Sequence, residues 1–298
     1  NTKFTRALRN AENQLNQFGS KLREIGQGMM SIGLVAAAPM ALSTKMFASF
    51  DDQMRATKAV TSATAAEFEA MTEKAKYLGR TTSYTASQVA GAMTELGHMG
   101  FSPGEINASI QSILDLARGT GTDLAEAALI ASGTLRAFNL DAGKMSDVVD
   151  ILTATANNSA QTLTDLGESM KYAAPVAAEF GMSLRDTAKA LGTMAQFTIK
   201  GSMAGTSLRN ILLRMANKST QKILTGIGVS VADVAGNMRP LADILNDVGV
   251  ALGKVPQVER LGLLDQIFGM RAVTGGSKLT TESFERLNDA IDNFQGTA

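Results

Sequence analysis

The chain has 298 residues, with 28 basic and 28 acidic side chains, 45% apolar residues, 5% aromatic residues, no Trp and no Cys. Zero net charge argues against broad electrostatic binding to nucleic acid, whose phosphates demand a surplus of Lys and Arg. The lack of Cys removes disulfide frameworks and thiolate chemistry, which fits a protein made in a reducing cytoplasm.

Ala, Leu, Met and Gly fill the core in place of aromatics, so the expected fold class is all-α, close-packed helices rather than a β-sandwich. The first residue is Asn1 and the last three are Gly296, Thr297 and Ala298, so the sequence reads as a piece of a longer protein.

The first segment is the most regular. Phe4, Leu8, Ala11, Leu15, Phe18, Leu22, Ile25, Met29 and Ile32 are spaced by alternating steps of four and three. A 3.5-residue period held over four heptads is the signature of a coiled-coil seam. The seam predicts pairing with the same segment of other copies, as a parallel trimer. An amphipathic helix packed on its own domain is the competing reading. From Ile25 to Thr44 there is no charge, but the apolar stretch Met29–Leu42 is shorter than a bilayer requires and contains Gly33 and Pro39. A packed helix or a re-entrant segment is a better reading than a membrane span.

Beyond Pro39 the pattern predicts a helix through Met46, Phe50 and Met54, and another through Phe68, Met71, Ala75 and Leu78. From Thr85 the chain falls into two-helix units. Thr85-Ala-Ser-Gln88 and Ser102-Pro103-Gly-Glu105 have capping-box spacing. First helices start near 85, 122 and 164, the last at Thr164-Asp-Leu, and second helices near 103, 145 and 184. Gly119 is the expected end of the helix that Ser102 opens. Intervals of about 40 residues are those of helical-hairpin repeats, although a non-repetitive bundle also fits. Alternation of Ile227, Val229 and Val231 before Gly236-Asn237 predicts a small β-hairpin near 226–236. Helices resume from Pro240 to Leu252 and from Val258 to Phe268. Gly275-Gly276 reads as a loop, and Phe284, Leu287, Ile291 and Phe294 mark a last helix. The expected organisation is 1–50 as heptad helix and apolar segment, 51–225 as a helical-hairpin core, and 226–298 as hairpin plus helices.

Chemistry is sparse. His98 is the only histidine, so with no Cys a His/Cys metal site is excluded within one chain. Its sequence neighbour Glu95 makes no catalytic constellation, and a surface loop is the expected setting. Gly143-Lys144-Met-Ser146 and Gly276-Ser277-Lys278 lack the spacing and preceding strand of a phosphate loop. No catalytic residue, cofactor or metal site is expected. Gly201, Gly205, Thr206 and Arg209 read instead as a structural helix junction, with Gly205 permitting close approach and Thr206 as N-cap.

Several stretches, in order, resemble the tape-measure core of siphophage and myophage tails. They are Leu34–Leu42 leading into Phe50-Asp-Asp-Gln-Met54, Leu96-Gly-His-Met-Gly-Phe101, Leu116-Ala-Arg-Gly-Thr-Gly-Thr-Asp-Leu124, Ala156-Asn-Asn-Ser159, Gly201-Ser-Met-Ala-Gly-Thr-Ser-Leu-Arg209, Leu224 to Gly236, and Ile267-Phe-Gly269. The resemblance covers about residues 30–298. It implies a multi-copy virion protein in the tail-tube lumen that sets tail length during assembly and leaves before the DNA at ejection; the missing catalytic motifs make it no enzyme. The implied partners are other copies of the chain, tail-tube proteins, and tail-tip or baseplate proteins, with no specific nucleic acid. The alternative is a membrane-active helical module that enters the host envelope during DNA delivery. Fully helical, the chain would span at most about 450 Å at 1.5 Å per residue; its many turns make it a folded domain that caps, packs or anchors the tape.

Overall fold

The computed structural model describes residues 37–270 and 272–280. The expected seam from Phe4 to Ile32 and the expected last helix around Phe284–Phe294 lie outside the described residues. The chain divides into two compact units, Asn1–Asp52 and Gln53–Ala298. In the first unit the described part is the start of helix α1 (Ala37–Thr61). The second unit holds the rest of α1 and twelve further helices, so among the described residues the fold is all-α.

Local chemistry starts these helices. Four reciprocal capping boxes form, in which a hydroxyl takes a backbone N–H and an acid or amide three residues on takes the cap's own N–H. They open α2 (Ala65–Thr81) at Thr64/Glu67, α3 (Ala86–His98) at Thr85/Gln88, α4 (Pro103–Thr120) at Ser102/Glu105 and α7 (Leu163–Glu179) at Thr162/Asp165. The expected start at Thr164 is thus two residues late, because Thr162 is the residue with a carboxylate at the reciprocal position. Asp123 caps α5 (Leu124–Ala137) and Ser183 caps α8 (Leu184–Gln196). A short 3-10 turn, Ala142–Lys144, leads into α6 (Met145–Asn158).

The helices end by one device repeated along the chain. A residue with positive φ is followed by an N–H that bonds the carbonyl five residues back, the Schellman pattern. It occurs at Gly100 (φ 78°), Asn139 (51°) and Gly181 (72°), with Phe101, Leu140 and Met182 donating to Leu96, Leu135 and Ala177. Gly121 does the same for α4, through Thr122 to Ala117. The expected end at Gly119 is therefore two residues early: Gly119 has helical neighbours, and the left-handed position is Gly121.

From α2 onward the helices alternate between two layers. In one, α3, α5, α7 and α9 (Ser202–Met215) stack in succession; in the other, α2, α4, α6 and α8 do the same. The starts of α3, α5, α7 and α9 are 38, 39 and 39 residues apart. The spacing recurs in the hydrogen bonds that cross between units: Arg136 to the Gly100 carbonyl over 36 residues, Thr57 to Thr94 over 37, and both Asn157 to the Gly119 carbonyl and Thr164 to Glu126 over 38. Between the layers lies a continuous apolar core that includes Leu78, Leu96, Ile110, Leu135, Leu166 and Leu191, all at or near zero exposure. Each such side chain contributes roughly 1.5–3 kcal/mol by leaving water.

The chain then leaves the pattern. After α10 (Lys218–Gly226) the expected hairpin near 226–236 is reduced to one antiparallel bridge, Ala232 with Met238. The reason is visible in the backbone. Ile227 and Gly228 finish α10, and Val229 and Val231 are buried as the chain passes into the core. Alternation here records burial rather than pairing. Helices α11 (Leu241–Gly253), α12 (Gln257–Phe268) and α13 (Val273–Leu279) follow. The expected loop at Gly275-Gly276 is helical. Gly276 accepts the Phe268 ring against its backbone, and Gly275 lies against Ser207 and Met194, so tertiary contact overrides poor helix propensity.

Candidate functional surfaces: a helix junction and two grooves

The segment from Lys200 to Arg209 joins the two layers at their C-terminal end. Gly201 has φ 60° and ψ −144°, a conformation close to the region that only glycine occupies freely. Its carbonyl accepts a 2.8 Å hydrogen bond from Ser169 Oγ on α7. Four residues on, a side chain at Gly205 would collide with the Ser169 carbonyl oxygen and come within 2.9 Å of Ser169 Cα. The two helices therefore touch backbone to backbone. Thr206 is not an N-cap: α9 begins at Ser202, with Gly201 at the cap position, so Thr206 lies inside the helix and half-buried. The helix starts early because the Ser169 and Asp165 contacts fix the chain at Lys200–Gly201. Arg209 is half-buried, and its Nε is buried without a hydrogen-bond partner.

Asp165 links the junction to its neighbour. Its carboxylate accepts the Thr162 backbone N–H at 3.1 Å and pairs with Lys200 Nζ at 3.1 Å. Burial pushes its pKa up, but the Thr162 backbone and the Lys200 and Thr162 side chains stabilise the ionised form. The net result lies below the ordinary aspartate value.

Sequence reasoning missed one feature of the junction. Thr198, between α8 and α9, has φ 64°. A β-branched residue in the left-handed region is strained, and a Thr carries no sequence signal for that position.

His98 is the last residue of α3 rather than part of a loop. Its imidazole is exposed, 3.8 Å from Glu95 on the same helix, and joins no wider cluster. Among the described residues, no group of three or more His, Cys, Asp or Glu side chains is placed to hold a metal ion.

Among the surface grooves of the described residues, two bear on the stack and its C-terminal end. One, of about 400 Å³, runs between α5 and α7 and is lined by Leu129, Ile130, Gly133, Gly167, Ala174 and Pro175. Pro175 is inside α7 and has no N–H to give to the helix ladder. The other, of about 630 Å³, lies beside the C-terminal half of α9, between Leu213 and Met270. Its wall shows why the chain has glycine at 269. Gly269 has φ 75° and ψ 155°, and its backbone packs directly on the Arg214 guanidinium, which donates to the Gln266 carbonyl at the end of α12.

Residues 72–269 match the family described as phage-related minor tail protein. Among curated proteins, the tape measure protein of Pneumococcus phage Dp-1 is 35% identical over 288 residues, 95% of this chain and 25% of that protein. The probable tape measure protein of Escherichia phage P2 is 29% identical over 252 residues, 84% of this chain and 30% of that protein. The chain thus spans between a quarter and a third of the length of these relatives. No solved structure matches it.

Proposed function

The chain belongs to the phage-related minor tail protein family, a structural component of the phage tail, and from that premise we propose that it is the folded core of a tape-measure protein. The observation that carries this reading is the extent of the match to two tape measure proteins, over 95% and 84% of the chain. The stacked helical body supports it, since repeated hairpins give a structural element in which each helix packs on its neighbours. In this reading the whole protein sits in the tube lumen, fixes tail length while tube subunits polymerise around it, and precedes the DNA at ejection. The piece described here is a folded anchor at one part of the tape, in contact with tail-tube, tail-tip or baseplate proteins. Nothing in the comparisons favours the membrane-active alternative; among the described residues no helix is long and apolar enough to cross a bilayer, and residues 29–36 of the apolar stretch lie outside them.

The seam from Phe4 to Ile32 belongs to the same reading. It pairs copies of the chain, as a parallel trimer, at the heptad positions. Sedimentation of the chain beside a Leu15→Asp plus Leu22→Asp variant tests it: equal mass for both would show that the seam does not join copies.

The test of the assignment itself is genetic and visual. Deletion of residues 53–280 from the full-length gene abolishes tails of uniform length in electron micrographs. Normal, infectious tails of unchanged length from that deletion would overturn the assignment.

A further inference from the structure

Charge is unevenly placed along this neutral chain. Between Asp186 and Asp233 lie 46 residues without a single acid, and they carry Lys189, Lys200, Arg209, Arg214, Lys218 and Lys222. Lys200 is paired with Asp165, and Lys189 is buried and engaged within the fold. The other end of the block faces solvent. Arg214 in the last turn of α9, and Lys218 and Lys222 one turn apart in α10, are exposed.

Apolar exposure is also frequent in this part of the chain. Among the described residues ten large apolar side chains are exposed, and seven of them fall between Met203 and Met270, so the exposure is concentrated at this end of the chain. Leu213, 49% exposed, and Met270, 84% exposed, line the groove of about 630 Å³ beside α9. Asn210 and Asn217 lie along it, one turn to either side of Leu213. Concentrated apolar exposure of this kind marks a contact surface.

The stacking pattern explains why the groove is open. The last two helices of this layer each meet the preceding one through a glycine: Gly167 of α7 rests on Ile130 of α5, and Gly205 of α9 rests on Ser169 of α7. On α9 the equivalent seat is Ser207, and Gly275 of α13 occupies it. But α13 has seven residues, half the length of α9. It packs against Ser207 and leaves Leu213, near the C-terminal end, at the mouth of the groove.

We propose that this face, formed by the C-terminal half of α9, α10 and the turn at 268–270, is a docking site for an acidic amphipathic helix of a partner protein. The apolar side of that helix fills the groove between Leu213 and Met270 and continues the layer by one member, as a further helix of the stack would. Its Asp and Glu side chains meet Arg214, Lys218 and Lys222. Charge sets the chemistry of the occupant. A second copy set against this face brings two acid-free surfaces together, and like charges repel. Nucleic acid is disfavoured because half of the face is aliphatic, with no exposed aromatic ring on which a base could stack. The inference uses only the charge and packing of the chain, so it stands or falls separately from the tail assignment.

Photo-crosslinking in the full-length protein, made during phage production, tests it. Leu213 is replaced by p-benzoyl-phenylalanine, and cross-linked peptides are mapped by mass spectrometry. The expected product joins position 213 to a helical segment of another protein with Asp or Glu flanking an apolar stripe. Lys218→Glu plus Lys222→Glu, two exposed positions, lowers the yield at least tenfold, and replacing the partner's acids by Lys restores it. Circular dichroism of the double variant confirms folding, and Lys218→Gln plus Lys222→Gln replaces it if it does not fold. A cross-link to the same face of another copy, a nuclease-sensitive product, no product, or a yield unmoved by charge reversal overturns the proposal.

Discussion

Gly205→Ala probes the contact on which the second half of the stack rests. The added methyl would overlap the Ser169 carbonyl oxygen and lie 2.9 Å from both Ser169 Cα and its carbonyl carbon, where ordinary contact begins near 3.4 Å. These are backbone atoms of α7, which cannot rotate aside. Helix α9 must therefore move outward, pulling the Gly201 carbonyl from Ser169 Oγ, now 2.8 Å away, and Lys200 from Asp165. Overpacking of this kind costs about 1–3 kcal/mol, and the weakened hydrogen bond adds about 1 kcal/mol. Better helix propensity returns about 1 kcal/mol.

The net loss is about 1–3 kcal/mol. At roughly 2–4 °C per kcal/mol for a domain of this size, the melting temperature falls by about 2–12 °C. The matched control is Gly262→Ala on α12, exposed and with nothing within 4 Å of the new methyl. It gains about 0.5–1 kcal/mol from propensity alone. Calorimetry on the three proteins decides the matter. If Gly205→Ala melts at or above the parent temperature, the backbone contact between α7 and α9 is not what holds the junction.

Thr198→Gly relieves a left-handed β-branched residue and raises stability by about 1–2 kcal/mol, read by urea denaturation. Asp165→Asn destabilises the fold at neutral pH, because the folded carboxylate has a depressed pKa. That contribution is complete above the ordinary aspartate pKa and is lost as pH falls through the folded value, so the gap to the parent narrows below about pH 4 in a melting series. His98→Ala changes stability by less than about 0.5 kcal/mol and leaves tails intact in micrographs, since its exposed ring has only Glu95 nearby.

Much of the stack was legible because its signals are local. The hydroxyl and acid of Ser102 and Glu105 sit three residues apart in the sequence and three apart in the box they form, and the interval near 40 residues follows from reading such starts in series. What escaped reading depends on distant partners. Thr206 has the chemistry of an N-cap, but the helix had already begun at Ser202 because Ser169 and Asp165, more than thirty residues away, hold Gly201 and Lys200. Gly275 and Gly276 have the propensity of a loop and form a helix because Phe268, Met194 and Ser207 need flat backbone to pack on. The role of Gly205 as a close-approach residue could be inferred from spacing, whereas its partner Ser169 could not. The charge segregation between Asp186 and Asp233 was present in the sequence from the start. It gained meaning only when α9 and α10 placed part of that block beside an uncovered groove.

The end of the stack follows from the same physics. A body in which each helix touches mainly its neighbours gathers stability step by step, so its terminal members need a cap. Among the described residues the last member is α13, and a seven-residue helix with two adjacent glycines has no stability of its own. It exists because the Phe268 ring closes on Gly276, Met194 packs on Gly275, and Leu279 is buried. Phe268 in turn belongs to α12, whose Val258 and Leu261 face solvent at 91% and 70% exposure. The C-terminal elements carry much of the exposed apolar surface among the described residues. Such an element is the first part to fray and the part that gains most from an added helix, because a ligand that binds only the folded form stabilises what it binds. A partner seated between Leu213 and Met270 would contact both α9 and the turn that follows α12, and would fix that turn to the stack at the point where the chain's own helices are shortest.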